Sequence, residues 1–263
     1  MRRVAAALAV CVCGAAAAEE SVDLELVLAV DISGSMDPDE QELQREGYLG
    51  ALRHPEVIQA IRSGSYGRIA VTYVEWAGNH SVRVVVPWMP IDDDATAGRF
   101  AAQLAAAPLR TAHDTSISGA LAFSGGLFDG NGFDGVRRVI DISGDGPNKQ
   151  GAPVTVVRDL VVSKGITING LPVMLKPNHR SGAFDVSMLD TYYEDCVIGG
   201  FGAFIVPVRA LNEFASAVRR KLVLEIAGLT PRPILAQFTE RAARMDCLIG
   251  EKLWRRRILD WDN

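Results

Sequence analysis

Asp31, Ser33 and Ser35 stand at alternate positions where the apolar run Leu24 to Val30 gives out, in the stretch VLAVDISGSMDPDE. An extended chain turns every second side chain the same way, so three oxygen-bearing groups are offered to one place. Two further stretches carry similar chemistry. Thr111-Ala112-His113-Asp114-Thr115-Ser116 precedes an apolar repeat at helical spacing, and Ser143-Gly144-Asp145-Gly146 ends a β-branched run. Together they supply Asp31, Ser33, Ser35, Thr115 and Asp145, two carboxylates and three hydroxyls. An all-oxygen set with room for water suits Mg²⁺, which takes about six ligands at ~2.0–2.1 Å and keeps some of its waters. Mn²⁺ and Ca²⁺ are the alternatives. Two carboxylates balance the ion's charge and the hydroxyls add none, so the ion would still attract an outside anion.

These residues need elements to bring them together. Leu24 to Val30 is almost continuously apolar, as in a strand covered on both faces. Asp37-Pro38-Asp39-Glu40 reads as a helix start, with Asp37 as cap, Pro38 at the first position and Glu40 closing a capping box. That helix should reach about Ala51, and a short one should span Glu56 to Ile61. Arg68 to Glu75 and Val82 to Val86 are β-branched runs joined by Ala77-Gly78-Asn79-His80, a hairpin signal. Helices are expected over Asp94 to Ala106, from Thr115 or Ser116 through the stripe Ile117, Leu121, Ser124 and Phe128, and over Pro153 to Ser163. Strands are expected over Val136 to Ile142, Ile166 to Val173 and, last, Phe204 to Val208. Leu211, Phe214, Ala215, Val218 and Leu222 make a helical stripe ending before Gly228. Strands alternating with helices, plus one hairpin, predict an α/β fold: a Rossmann-like, doubly wound, mostly parallel sheet with helices on both faces. In such a sheet ligands bind at the carboxyl ends of the strands, where the three oxygen-rich loops fall.

The three motifs, in this order and at strand ends, resemble those of von Willebrand factor A-type (VWA) domains. Asp-Ile-Ser-Gly-Ser is the D-x-S-x-S signature after the first strand. Thr115-Ser116-Ile117-Ser118-Gly119-Ala120-Leu121 looks like the second, threonine-bearing motif. Gly144-Asp145-Gly146, followed by Pro147-Asn148, is similar to the third, usually Thr-Asp-Gly. The resemblance covers Asp23 to Glu225. It implies one antiparallel edge strand and a metal-ion-dependent adhesion site (MIDAS) on the rim of the sheet. There Ser33, Ser35 and Thr115 would bind the ion through hydroxyls, and Asp31 and Asp145 directly or through water. Gly144 stands where threonine is common, outside the ligand set. Within the family the chain looks most like an uncharacterised group of exported bacterial members.

The rest of the chain sets bounds on that reading. Its 263 residues, 48% hydrophobic and 22% charged, can bury a substantial core. A net charge of -5 gives no electrostatic reason to expect nucleic acid. Arg2 and Arg3, the apolar Val4 to Cys13 and the small residues Gly14 to Ala18 are laid out as a secretory signal peptide, cut before Glu19. No later run is apolar enough for a transmembrane helix. The expected organisation is therefore a signal peptide at 1–18, a VWA-like domain at 19–227 and a tail at 228–263, in a periplasmic or secreted protein. Of the four cysteines, Cys196 and Cys247 remain after cleavage, and in an oxidising compartment one disulfide between them is expected. Each sits in a matching phrase, Asp195-Cys196-Val197-Ile198-Gly199 and Asp246-Cys247-Leu248-Ile249-Gly250, too short to count as a repeat. Leu253, Trp254, Ile258 and Trp261 predict a tail helix packed on the domain, whose removal should lower thermal stability but leave metal binding intact. His113 reads as a surface turn residue, Asp190, Glu194 and Asp195 as a solvated acidic face, and the sequon at Asn79 as idle.

Two functions of different class follow. The first is an exported, non-enzymatic binding module that recognises a protein partner's carboxylate through Mg²⁺; nothing in the sequence fixes its oligomeric state. The second is a metal-dependent phosphoryl-transfer enzyme with Asp31 as nucleophile. Dehalogenase-type phosphatases are similar in that placement but carry a second aspartate where this chain has Ser33. Lys149 is the one nearby lysine for such chemistry.

Overall fold

The computed structural model describes residues 18–35, 38–175, 188–229 and 245–261. Residues 1–17, nearly all of the expected signal peptide, lie outside the described residues, as do Asp37 and the side chains of Ile258 and Trp261. The central sheet has five strands: β2 (Leu24–Asp31), β3 (Ile69–Trp76), β4 (Val82–Ile91), β6 (Arg138–Gly144) and β7 (Ile166–Pro172), in the order β4-β3-β2-β6-β7. All neighbours are parallel except β3 and β4, which are antiparallel. A separate two-stranded parallel pair joins β1 (Glu20–Val22) to β5 (Phe133–Gly135). This is the expected mostly parallel α/β sheet with an antiparallel edge.

Every residue of β2 is buried. Alternate side chains serve two cores. Leu24, Leu26, Leu28 and Val30 pack beneath α1 (Pro38–Leu52), α2 (Pro55–Arg62), α3 (Asp94–Ala106) and α7 (Phe214–Ala227). Val27 and Ala29 pack beneath α4 (Ile117–Gly126), α5 (Val154–Ser163) and α6 (Leu189–Tyr192). A strand covered on both faces has no need of polar alternation, which is why its sequence is apolar until Asp31 but for Glu25, a buried acid paired with Arg138.

Local chemistry sets the helix ends. Asp93 and Thr96 form a capping box on α3, and the Ser116 hydroxyl accepts the Gly119 N–H at 3.1 Å to start α4. Gly228, in the left-handed region at φ 64°, ends α7. Among the described residues no helix is long and apolar enough to cross a membrane.

Three expectations need correction. The run from Phe204 to Val208 forms only isolated bridges along β7, at Ile205 and Val208. The ladder breaks at Pro172, which has no N–H to give to Val206 O, although Val206 N–H goes to Gly170 O at 3.0 Å and Val208 N–H to Pro172 O at 2.9 Å. The strand expected from Val136 starts at Arg138, because Val136 is 67% exposed in the turn after β5. Of the stripe leading into α7, Leu211, in a 3₁₀ turn (Leu211–Glu213) before the helix, and Ala215 face solvent, whereas Ala217, Lys221 and Glu225 are buried.

β4 runs to Ile91 although it contains Pro87 and Pro90. It is an edge strand, where an absent N–H is tolerated, and its register with β3 slips between Val71 and Tyr73 and again between Tyr73 and Val74.

Candidate metal centre

The carboxyl ends of β2 and β6 lie side by side. Beyond β2, Ile32 N–H bonds Trp76 O at 2.8 Å and Ile32 O accepts Ala112 N–H at 3.0 Å, so the loop before α4 is laid against the end of β2. Ser33 bridges Ala112. Gly78 N–H donates to His113 O at 3.1 Å and Ser116 N–H to Ala77 O at 2.7 Å, closing the loop onto the hairpin of β3 and β4. Within it Asp114 takes φ 68°, a left-handed conformation that Asp tolerates better than most residues. His113 is exposed, as expected of a turn residue.

Four of the five candidate ligands are joined by hydrogen bonds. The Asp31 Oδ1 accepts the Ser33 N–H at 2.7 Å, the Ser33 and Ser35 hydroxyls are 3.0 Å apart, and Ser35 Oγ donates to Asp145 Oδ1 at 2.8 Å. Thr115, buried, joins through its main chain: its carbonyl accepts the N–H groups of Lys149 at 2.9 Å and Gln150 at 3.1 Å. The second and third loops are thereby tied to each other.

Asp31 is fully buried and its Oδ2 has no hydrogen-bond partner among the described residues. Burial, and then the negative charge of Asp145, push its pKa up to about 8. An ion-free site of this kind is electrostatically unfavourable, with two carboxylates crowded together and a lone pair facing nothing. A divalent cation relieves both, so the residues present fit the group that the motifs imply. Among the described residues no three His, Cys, Asp or Glu side chains cluster, so any ion here relies on hydroxyls as well as carboxylates.

Three neighbours of the site were not picked out from sequence. The hydroxyl of Tyr193, buried and without a partner among the described residues, and Asp31 Oδ2 would lie 2.9 and 3.0 Å from a Cβ on Gly144. Tyr193 opens a π-helical turn, Tyr193–Val197, of a kind that often marks functional positions. Asn148, fully buried, donates from Nδ2 to Glu251 Oε1 at 2.8 Å. Glu251 belongs to the tail helix α8 (Ile249–Trp261), so the tail touches the third metal loop. Its contact could not be read from periodicity, because Glu251 looks like any helix-start acid.

Cys196 and Cys247 are joined by a disulfide with Cα atoms 5.5 Å apart. Asp190 pairs with Arg209, and the Asp195 Oδ2 accepts the Met245 N–H at 2.8 Å, so two of the three acids here make structural contacts while Glu194 is exposed.

The fold is VWA-like: a Rossmann-like sheet with the D-x-S-x-S loop at the end of its central strand. The chain belongs to the family described as "Protein of unknown function (DUF1194)", whose model matches residues 21–230. No curated protein matches the chain. Among solved structures, it is similar to proximal thread matrix protein 1 from the mussel byssus with a zinc-occupied MIDAS motif. That likeness has a TM-score of 0.53 at 13% identity, over 80% of this chain and 49% of the other. The pilus adhesin SpaC from Lactobacillus rhamnosus GG gives 0.57 at 10% identity, over 80% of this chain and 31% of the adhesin. A von Willebrand factor type A protein from Catenulispora acidiphila gives 0.52 at 14% identity, over 78% and 43%. The chain thus spans half or less of the length of these proteins, and the likeness is one of fold.

Proposed function

We propose that this protein is an exported, non-enzymatic binding module that holds a divalent cation, Mg²⁺ by preference, and presents it to a carboxylate of a protein partner. In this reading 1–18 is a signal peptide, 19–227 the binding domain and 228–263 an accessory tail. The observation that carries it is the buried Asp31, with one oxygen unpartnered and Asp145 crowding it, at the head of a chain of serine hydroxyls. Ser33, Ser35 and Thr115 would hold the ion through neutral oxygens, and Asp31 and Asp145 would supply the charge. The ion would act as a Lewis acid toward an incoming carboxylate. The mussel protein, described with a zinc-occupied MIDAS, and the pilus protein, described as an adhesin, support the class of function.

The test is calorimetric titration of the protein with Mg²⁺, Mn²⁺ and Ca²⁺. Asp145→Ala removes one of the two anions and should weaken binding roughly a hundredfold, because affinity in oxygen-only sites follows ligand charge. Ser33→Ala should cost roughly tenfold or less, since water replaces a neutral ligand. Wild-type protein that binds none of these ions at millimolar concentration would overturn the reading. Hydrolysis of a phosphate ester that vanishes in Asp31→Asn would transfer the site to phosphoryl transfer, with Lys149, whose charge favours ionised Asp31, as the assisting cation.

A further inference from the structure

The two phrases Asp195-Cys196-Val197-Ile198-Gly199 and Asp246-Cys247-Leu248-Ile249-Gly250 meet in space at the disulfide, and each cysteine carries an arm that reaches Asn148. From the first arm, Tyr192 offers its hydroxyl to the Asn148 N–H at 3.1 Å. From the second, Glu251 Oε1 accepts from Asn148 Nδ2 at 2.8 Å. We propose that this disulfide-fastened tail is part of the metal site, with Glu251 a positioning residue that holds the Asp145 loop against the Thr115 loop. The proposal rests on the metal-site reading and extends it past residue 230, where the family model ends.

Asn148 is the joint. Its Oδ1 accepts the Ser118 N–H at 3.0 Å, in the first turn of α4, and its Nδ2 also reaches Ala152 O at 3.2 Å. One buried amide thus ties the loop that carries Asp145 to the helix that follows Thr115. The adjacent N–H groups of Lys149 and Gln150 complete the link at the Thr115 carbonyl. Without Glu251, the buried amide keeps only the longer bond to Ala152 on its donor side, and a buried donor short of partners is costly.

The tail is seated closely enough to enforce this. A Cβ on Gly250 would fall 2.1 Å from Asn148 O, so no other residue fits there without movement. Glu251 is 9% exposed and its Oε2 has no partner among the described residues. A half-satisfied buried carboxylate is an unfavourable way merely to start a helix, and is understandable if its other oxygen holds the loop. The clasp fixes the approach: besides the disulfide, Asp195 accepts the Met245 N–H from across the junction, and Asp246 accepts the Leu248 N–H at 3.1 Å to shape the turn into α8. Partners that orient metal ligands from behind commonly change metal affinity by about 10–100-fold when removed.

The experiment uses the full mature chain with two readouts, Mg²⁺ affinity by calorimetry and amide exchange at Lys149 and Gln150 in metal-free protein. Glu251→Ala should weaken Mg²⁺ binding about tenfold or more and accelerate exchange at both amides. Glu251→Gln keeps the accepting oxygen and should restore most of both. Wild-type protein treated with reductant, and the double variant Cys196→Ser/Cys247→Ser, should resemble Glu251→Ala. If Glu251→Ala does not fold, the comparison of oxidised with reduced wild type decides. Unchanged exchange and unchanged affinity on loss of Glu251 or of the disulfide would overturn the proposal while leaving the metal site standing. If wild type binds no cation, the metal-site reading falls, and exchange at Lys149 and Gln150 alone decides whether the tail holds the loop.

Discussion

Gly144 has three hard neighbours where a Cβ would go: the Tyr193 hydroxyl at 2.9 Å, Asp31 Oδ2 at 3.0 Å and a ring carbon of Trp76 at 3.1 Å. Threonine, common at this place in the motif, would have to displace all three. The tyrosine occupies that volume instead, and burial raises its pKa far above the ordinary phenol value, so it stays a neutral O–H beside the acid. Gly144→Ala should therefore destabilise the fold by ~1–3 kcal/mol, the usual cost of overpacking. Tyr193→Phe alone should change stability little, since the hydroxyl it removes has no partner among the described residues. Combined with Gly144→Ala it should recover part of the loss, because the closest contact goes. Urea unfolding of the two single variants and the double measures this, and strict additivity would refute the steric account.

Among the elements, α7 docks on the sheet through charge as well as oil. Lys221 and Glu225 are fully or almost fully buried, and Lys221 Nζ lies 2.6 Å from Asp141 Oδ1 of β6 while also pairing with Glu225. Asn169 Nδ2 donates to Glu225 Oε1 at 2.9 Å. One cation thus serves two acids. Lys221→Met should cost about 3–5 kcal/mol, the usual penalty for stranding a buried charge, and thermal unfolding reads it. Burial, then the charge of Asp141, raises the Glu225 pKa from 4.5 to about 7. The native state therefore holds a proton that the unfolded chain has released, so this group lowers stability as pH rises from about 4.5 through 7. Glu225→Gln should flatten that slope, measured as unfolding free energy at pH 5 and pH 7.5; an unaltered slope would refute it. Nothing in the helical stripe announced this cluster, because a lysine and a glutamate four apart read as an exposed pair. Asp141 was the one visible hint, an acid inside a β-branched run. By contrast Asp31, Ser33 and Ser35 were legible because their spacing is the strand period itself. The α/β alternation was legible for a like reason, as each buried face writes its own periodicity. Tyr193 and Glu251 left no such trace: what places them is a disulfide and the absence of a side chain at Gly144 and Gly250, and neither has a period.

For the molecule as a whole, prolines mark both margins of the sheet. At one margin β4 carries Pro87 and Pro90 among its ten residues. At the other, β7 is shielded by the segment around Pro207, which bonds to it only in places. Pro87→Val with Pro90→Val should leave the fold intact but raise light scattering at high protein concentration, as an edge with all its N–H groups invites other strands. Equal scattering from variant and wild type would show that the margin needs no such protection. The consequence concerns growth. Among the described residues, a central sheet broken by prolines at one margin and shielded at the other disfavours knitting a further strand onto it, so under the proposed function a partner would be met end-on, at the rim, and not alongside.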